Sequence, residues 1–77
     1  MLKLIEDYSP SLEELQKLVG GYIEVHTLRN GDNLVMNEDG LMQNLPINKE
    51  ASKLFRDNGG ASDVCGFVVQ VKAGLLK

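Results

Sequence analysis

Residues 20–48, GGYIEVHTLRNGDNLVMNEDGLMQNLPIN, are the stretch of sequence that decides the fold. At its centre, Asn30 and Gly31 stand between two alternating apolar runs. An Asn-Gly pair in that setting is typical of a β-hairpin with a two-residue type I′ turn, in which both central residues have positive φ. If these two residues fill the turn, the register places Glu24 opposite Asn37.

The two predicted strands have one core face and one mixed face, because side chains alternate along a strand. The core face carries Ile23, Val25, Thr27, Leu34 and Met36, and the mixed face carries Tyr22, Glu24, His26, Leu28, Val35 and Asn37. A slip of one residue in the pairing would exchange the two faces of a strand. The predicted register therefore keeps Glu24 and His26 out of the core.

The segment after the hairpin predicts a second turn at Asp39 and Gly40, followed by a short third strand at residues 41–43. Pro46 ends this meander, because proline cannot donate a hydrogen bond to a ladder. Asn48 then suits the cap of a helix.

That second helix is predicted over residues 48–58, with Ala51, Leu54 and Phe55 on its inner face. The last strand, over residues 63–72, is apolar on both faces for most of its length. Such a pattern is typical of a central strand with material packed on each side. Gly66 within it indicates a bulge or a close approach of the backbone.

The segment before the hairpin predicts a strand at residues 2–6 and then a helix that ends at Gly20. Two residues compete to cap this helix: Ser9, which precedes a proline, and Ser11, with Glu14 three residues later. The second arrangement is a capping box, and we favour it.

The element order predicts a single α+β domain over residues 1–77, β-α-β-β-(β)-α-β, with an antiparallel-rich sheet and two helices. A ferredoxin-like arrangement with both helices on one face of the sheet fits this order, and a compact α+β roll around the meander is the alternative. With both helices on one face, the last strand would expose Val68 and its neighbours on the other. Monomers rarely leave such patches open, so we expect a homo-oligomer, most simply a two-fold dimer.

Composition narrows the function classes. The chain has 8 Lys and Arg against 11 Asp and Glu, a net charge of −3, and no basic patch, so direct nucleic-acid binding is not expected. One cysteine allows neither an intrachain disulfide nor a cysteine-rich zinc site. No run approaches the ~20 apolar residues that span a membrane, and no secretory signal is apparent, so we expect a cytoplasmic protein.

Few residues suggest chemistry. His26 lies two residues from Glu24 and could act as a general base oriented by a carboxylate, but the spacing implies no nucleophile or metal beside it. The acidic turn ending at Gly40 lacks the pattern of a calcium loop, and Cys65, in the most apolar stretch, is expected to be a buried structural thiol. We therefore expect no enzymatic activity, metal or cofactor.

Four motifs in order resemble a small family, a domain of unknown function found in bacteriophages, plasmids and their hosts. They are VGGYIEV at residues 19–25, NEDG at 37–40, LPxNxxA at 45–51 and a closing GxVVV-type strand that begins at Gly66. The resemblance covers residues 12–71. It departs from the family at Cys65 and at the aromatic residue after Gly66.

The resemblance implies a phage or mobile-element origin and carries no assigned activity with it. It implies that a shared site would draw on matching polar and turn positions, which include Gly21 and Pro46. With His26 added, the candidate ligand-binding residues are six, and Glu24 and Asn37 are the central pair. The six are Tyr22, Glu24, His26, Asn37, Glu38 and Asn48.

The leading hypothesis is a non-enzymatic, oligomeric phage-type binding protein in the host cytoplasm. It would counter or modulate a host system by binding a host protein, or by sequestering a small nucleotide-like ligand at a subunit interface. The alternatives are a small enzyme that uses His26 and Glu24, and a regulatory protein associated with nucleic acid.

Overall fold

The computed structural model describes residues 1–76 and shows a four-stranded mixed sheet with two helices. In chain order the elements are β1 (Leu2–Ile5), α1 (Leu12–Val19), β2 (Ile23–Thr27), β3 (Asn33–Asn37), α2 (Lys49–Asp57) and β4 (Val68–Val71). The strand order is β1-β4-β3-β2; β1 and β4 are parallel, and the other two pairs are antiparallel. The predicted α+β class is confirmed. Neither helix in this part of the chain has the length and apolar character needed to cross a membrane.

Both helices begin where the sequence predicts. The Ser11 hydroxyl accepts a hydrogen bond from the Glu14 N–H at 3.1 Å, so Ser11 is the cap of α1. The Asn48 side chain accepts one from the Ala51 N–H at 3.0 Å and caps α2. These bonds satisfy N–H groups that the first turn of a helix leaves without intrahelical partners.

The hairpin register differs by one residue from the predicted one. The Leu28 N–H donates to the Asp32 carbonyl at 2.7 Å and the Gly31 N–H to the Leu28 carbonyl at 3.0 Å, so three residues form the loop. Gly31 has φ +91°, whereas Asn30 does not have positive φ, which excludes a type I′ turn. A type I turn followed by a left-handed glycine is the usual three-residue hairpin loop.

The extra loop residue changes which side chains share a face. Glu24 pairs with Met36, and Asn37 pairs with Ile23 on the opposite face of the sheet. The predicted Glu24–Asn37 pair and the predicted composition of the two faces are therefore wrong. His26 and Glu24 lie on the same face as the buried Met36.

The sheet is covered on both faces. Against α1 the core contains Ile5, Leu15, Val19, Val35, Val69 and Val71. Against α2 it contains Leu28, Leu34, Met36, Ala51, Val64 and Val68. The expectation that both helices cover one face, as in a ferredoxin-like arrangement, is wrong, because the alternating valines of β4 are buried by α1 on one side and α2 on the other.

As predicted, β4 is a central strand that is apolar on both faces, although it is shorter than residues 63–72. Val68, Val69 and Val71 are each 0% exposed. The exposed sheet face on which the homo-oligomer prediction rested is therefore covered within the chain.

The third strand predicted at residues 41–43 is absent from the described structure; residues 38–44 form consecutive turns. The Gln43 N–H donates to the Asp39 carbonyl at 2.9 Å, so the segment is bonded within itself rather than to a strand. A Cβ at Gly40 would stand 2.9 Å from the Cys65 carbonyl oxygen. Close packing of these turns against the buried Cys65 thus requires glycine.

The backbone ahead of β4 makes the close approach predicted at Gly66. Its N–H donates to the Pro46 carbonyl at 2.8 Å, and a Cβ there would stand 2.8 Å from Leu45 Cδ1. Its φ is +87°. This residue therefore joins the loop after β3 to the segment that enters β4.

Candidate functional site

A cleft of about 250 Å³ lies between the turns at residues 38–44, helix α2 and residues 62–65. Its lining includes four carboxylates, Glu24, Glu38, Asp39 and Asp63, and for this reason we call it the acidic cleft. Its apolar lining consists of Met36, Leu41, Met42, Phe55, Val64 and Cys65. The cleft therefore combines negative charge with apolar surface.

Three parts of the chain place the carboxylates. The β2–β3 register puts Glu24 beside Met36. The turn after β3 carries Glu38 and Asp39 in sequence, and the Asn37 side-chain oxygen holds this turn by accepting the Asp39 N–H at 2.8 Å. From α2, Arg56 forms a 2.6 Å salt bridge with Asp63.

The cleft has an exposed apolar rim. The side chains of Leu41 and Met42 are 65% and 84% exposed, respectively. Residues at the end of tight turns are normally polar, and large exposed apolar side chains that are grouped together are typical of a contact surface. This pair is the part of the site that the sequence prediction missed, because it assigned both residues to a strand.

His26 lies beside the cleft and is not one of its lining residues. Its Nε2 contacts the Glu24 carboxylate, and its ring packs edge-on against Phe55 with ring centroids 4.8 Å apart. The carboxylate orients the imidazole as the sequence suggested. Within residues 1–76, no three His, Cys, Asp or Glu side chains are grouped so that they could hold a metal ion.

The six predicted ligand-binding residues do not form one site. Glu24, Asn37 and Glu38 line the acidic cleft. Tyr22, which is 71% exposed, lines a second and more open hollow of about 350 Å³ on which Asp39 also borders.

Asn48 lies away from both hollows and is buried. Its Nδ2 donates to the carbonyls of Met1 and Gly66, each at 2.9 Å, while its Oδ1 caps α2. Its backbone N–H donates to the Val64 carbonyl at 2.8 Å. All its polar groups thus bond within the fold, and Asn48 joins β1, α2 and the segment ahead of β4.

Asn37, the last residue of β3, has a comparable structural role. Its Nδ2 donates to the Val19 carbonyl at 3.1 Å and to Gln43 Oε1 at 3.3 Å. It therefore connects the end of α1 to the turns that form the cleft wall. A Cβ at Gly21 would stand 3.1 Å from this amide nitrogen.

Together these features define a small α+β domain whose mixed sheet is covered on both faces and bordered by an acidic, partly apolar cleft. The chain belongs to the DUF3846 family, described as a domain of unknown function, which matches residues 2–74. The predicted membership of a domain-of-unknown-function family is thereby confirmed. No curated protein and no solved structure matches the chain.

Proposed function

We propose that this chain is a non-enzymatic binding protein of phage or mobile-element type that acts in the host cytoplasm. It counters or modulates a host system by binding a host protein at the acidic cleft. The observation that carries this proposal is the grouping of exposed Leu41 and Met42 with four carboxylates around one concavity.

The charge of the cleft favours a protein over a nucleotide-like ligand. Phosphate groups are usually held by Arg, Lys or helix N-termini, and carboxylates repel them. The residues that line the cleft include neither Lys nor Arg. Glu38 and Asp39 form no salt bridge with any described residue, so their charges are available to a cationic partner.

The size of the cleft supports the same choice. Sites that enclose small-molecule ligands usually measure roughly 300–1,000 Å³. At about 250 Å³, the acidic cleft suits one or two side chains of a larger partner. The best match is a protein segment in which Lys or Arg flanks an apolar side chain that contacts Met42.

Peptide display tests this proposal. Selection on the wild-type chain should enrich peptides that combine basic residues with a large apolar residue. Binding of these peptides should be lost with Met42→Ser and with the double charge reversal Glu38→Lys/Asp39→Lys. Leu12→Ser is the matched control, since Leu12 is an exposed apolar residue on α1 and does not line the cleft.

The result that contradicts the proposal is enrichment of acidic or phosphorylated peptides, or binding that the cleft substitutions leave unchanged. Circular dichroism of each variant verifies that it is folded. The host protein that carries the enriched pattern is then identified by capture from a host extract. It should bind to the wild-type chain and not to Met42→Ser.

A small enzyme is the second candidate, because the Glu24 carboxylate orients the His26 ring. His26→Ala separates the two functions. A binding protein keeps its affinity for the selected peptides and its biological effect after this substitution, whereas an enzyme that uses His26 loses its effect.

A further inference from the structure

We propose that β2 pairs with β2 of a second copy of this chain, antiparallel and centred on Val25, to form a two-fold dimer with one continuous sheet. This dimer does not depend on the binding function proposed for the acidic cleft, with which it shares only the residue Glu24. It uses the edge of the sheet rather than a face.

The first observation is a free row of backbone groups along β2, which is an edge strand of the sheet. The Glu38 N–H bonds to the Tyr22 carbonyl, and the Leu28 N–H bonds within the same ladder. Bonded residues alternate along an antiparallel strand, so even-numbered residues of β2 face β3. The N–H and C=O groups of Ile23, Val25 and Thr27 therefore point away from the sheet, and no described residue bonds to them.

The second observation is that this edge has no lysine, proline or bulge to block it; its one acidic residue is Glu24. Edge strands are commonly blocked by Lys, by Pro or by a bulge, because their free groups are a template for another strand. The sequence of β2, IEVHT, contains neither Lys nor Pro, and all five of its residues are paired regularly with β3. The opposite edge, β1, carries Lys3.

The third observation is that β2 is complementary to itself in one register. Within each chain, Glu24 contacts His26. With the two-fold axis at Val25, each Glu24 also lies directly opposite the partner's His26, so the dimer brings two glutamates and two imidazoles together. An axis at Glu24 would place two glutamates opposite one another, and like charges directly opposite each other are destabilising. An axis at His26 would place the two imidazoles opposite one another instead.

The remaining side chains fit the same register. Val25, which is 40% exposed, meets the partner's Val25, and Ile23 meets Thr27 of the partner subunit. Valine and threonine suit neighbouring positions on paired strands. The partner strand thus covers the exposed apolar surface of β2.

Sedimentation equilibrium from micromolar to millimolar concentration tests the dimer. We expect a wild-type dimer that is weakened about tenfold by Glu24→Lys and by His26→Glu, because each substitution replaces both complementary pairs with unfavourable ones. An equimolar mixture of the two variants should form a heterodimer as tight as wild type. In that heterodimer the introduced lysine faces the introduced glutamate, and the native His26 faces the native Glu24. A structural defect in either variant would not be repaired by mixing.

The backbone pairing has its own test. Val25→Pro removes an N–H that has no partner within the described chain, so we expect a folded monomer, with Val25→Thr as a control that keeps the dimer. Should Val25→Pro fail to fold, the charge variants decide the question. A wild-type chain that stays monomeric at millimolar concentration, or a dimer that tolerates both charge substitutions, would overturn the proposal.

Discussion

Asn48 shows how much of this fold depends on single side chains that join distant segments. Its amide group caps α2 and donates to two carbonyls from different parts of the chain. Removing a buried partner costs more than the hydrogen bond itself contributes, because the remaining groups are left unsatisfied. Asn48 is therefore more important for stability than an ordinary helix cap.

We expect Asn48→Ala to lower the free energy of unfolding by roughly 2–4 kcal/mol, as it removes a cap and the Nδ2 donor to the buried Gly66 carbonyl. The Met1 carbonyl keeps the Val68 N–H as a donor. Ser11→Ala is the matched control. It removes only an exposed cap, so its cost should be about 1 kcal/mol. Urea denaturation measures both, and equal losses for the two variants would show that the Asn48 Nδ2 bonds are energetically unimportant.

Asp32 links the hairpin loop to β4 and to the residues just after it. Its carboxylate accepts the Ala73 N–H and the Gln70 side-chain N–H, each at 2.9 Å. The Ala73 N–H is the main cause that lowers the pKa of Asp32, followed by Gln70, with smaller effects from Asn30 and Lys72. A lowered folded-state pKa means that the ionised carboxylate stabilises the fold above its unfolded-state pKa, and that this contribution is lost as pH falls through the folded-state value.

Asp32→Asn should therefore reduce stability at neutral pH and flatten the decline in the free energy of unfolding below about pH 4, the ordinary range of an aspartate pKa. The measurement is a series of urea titrations between neutral and acidic pH. Asp7→Asn, at an exposed carboxylate, is the control and should keep the wild-type pH dependence. An unchanged slope in Asp32→Asn would show that other carboxylates dominate.

At this scale, sequence predicts residues whose partners are near in the chain. Ser11 and Asn48 are predictable as caps because each bonds to the N–H three residues later. The long-range partners of Asn48 and Asn37 are not predictable, because they depend on how β1, α1 and the turns after β3 meet. Both asparagines are therefore ligand candidates by sequence, although their side-chain groups bond within the fold.

At the level of secondary-structure elements, the sequence predicts the β2–β3 hairpin but does not determine its loop length or its register. Asn30-Gly31 suits a two-residue loop with positive φ at both positions, but it equally suits a three-residue loop with only Gly31 left-handed. The flanking strands do not decide between them, because Leu34, Val35 and Met36 are all apolar and either face can be buried. Tertiary packing makes the choice, and it places Glu24 and Asn37 on opposite faces.

We expect Gly31→Ala to cost about 1–2 kcal/mol, because it forces a side chain into the left-handed region. Its Cβ would also stand 3.3 Å from Ala73 Cβ. Asn30→Ala should cost less, since Asn30 already has negative φ and loses only two exposed bonds to Asp32, one from its N–H and one to its carboxylate. Thermal unfolding compares the two; equal costs would favour a type I′ turn after all.

For the whole molecule, a sheet covered on both faces predicts that valines on either face of β4 contribute to stability. Val68→Ala and Val69→Ala should each lower the free energy of unfolding by roughly 1–3 kcal/mol, because adjacent valines of β4 are buried in different cores. Leu12→Ala, at an exposed position, should change it by less than about 0.5 kcal/mol. If one of the two valines proves as neutral as Leu12, one face of the sheet is not covered in solution.

The central position of β4 is predictable because its side chains are apolar on both faces. What covers the second face is not predictable. A helix within the chain and a second copy of the chain can bury the same surface. The turns at residues 38–44 carry the chain to the opposite face, and their path depends on contacts such as Gly40 with Cys65. The acidic cleft forms at this crossing. Its apolar rim, Leu41 and Met42, is not predictable from the sequence, because the path of these turns depends on tertiary contacts.

The position of β4 also sets a limit on how the protein can be made. The central strand β4 is the last described strand to leave the ribosome. Until it does, β1 has no neighbouring strand and the β2–β3 hairpin is paired on one side only. Contacts between such distant parts of a chain form slowly, and unpaired edges remain open meanwhile. Synthesis that stalls before Val68 therefore yields a chain open to proteases, so the protein can accumulate only where translation runs to completion.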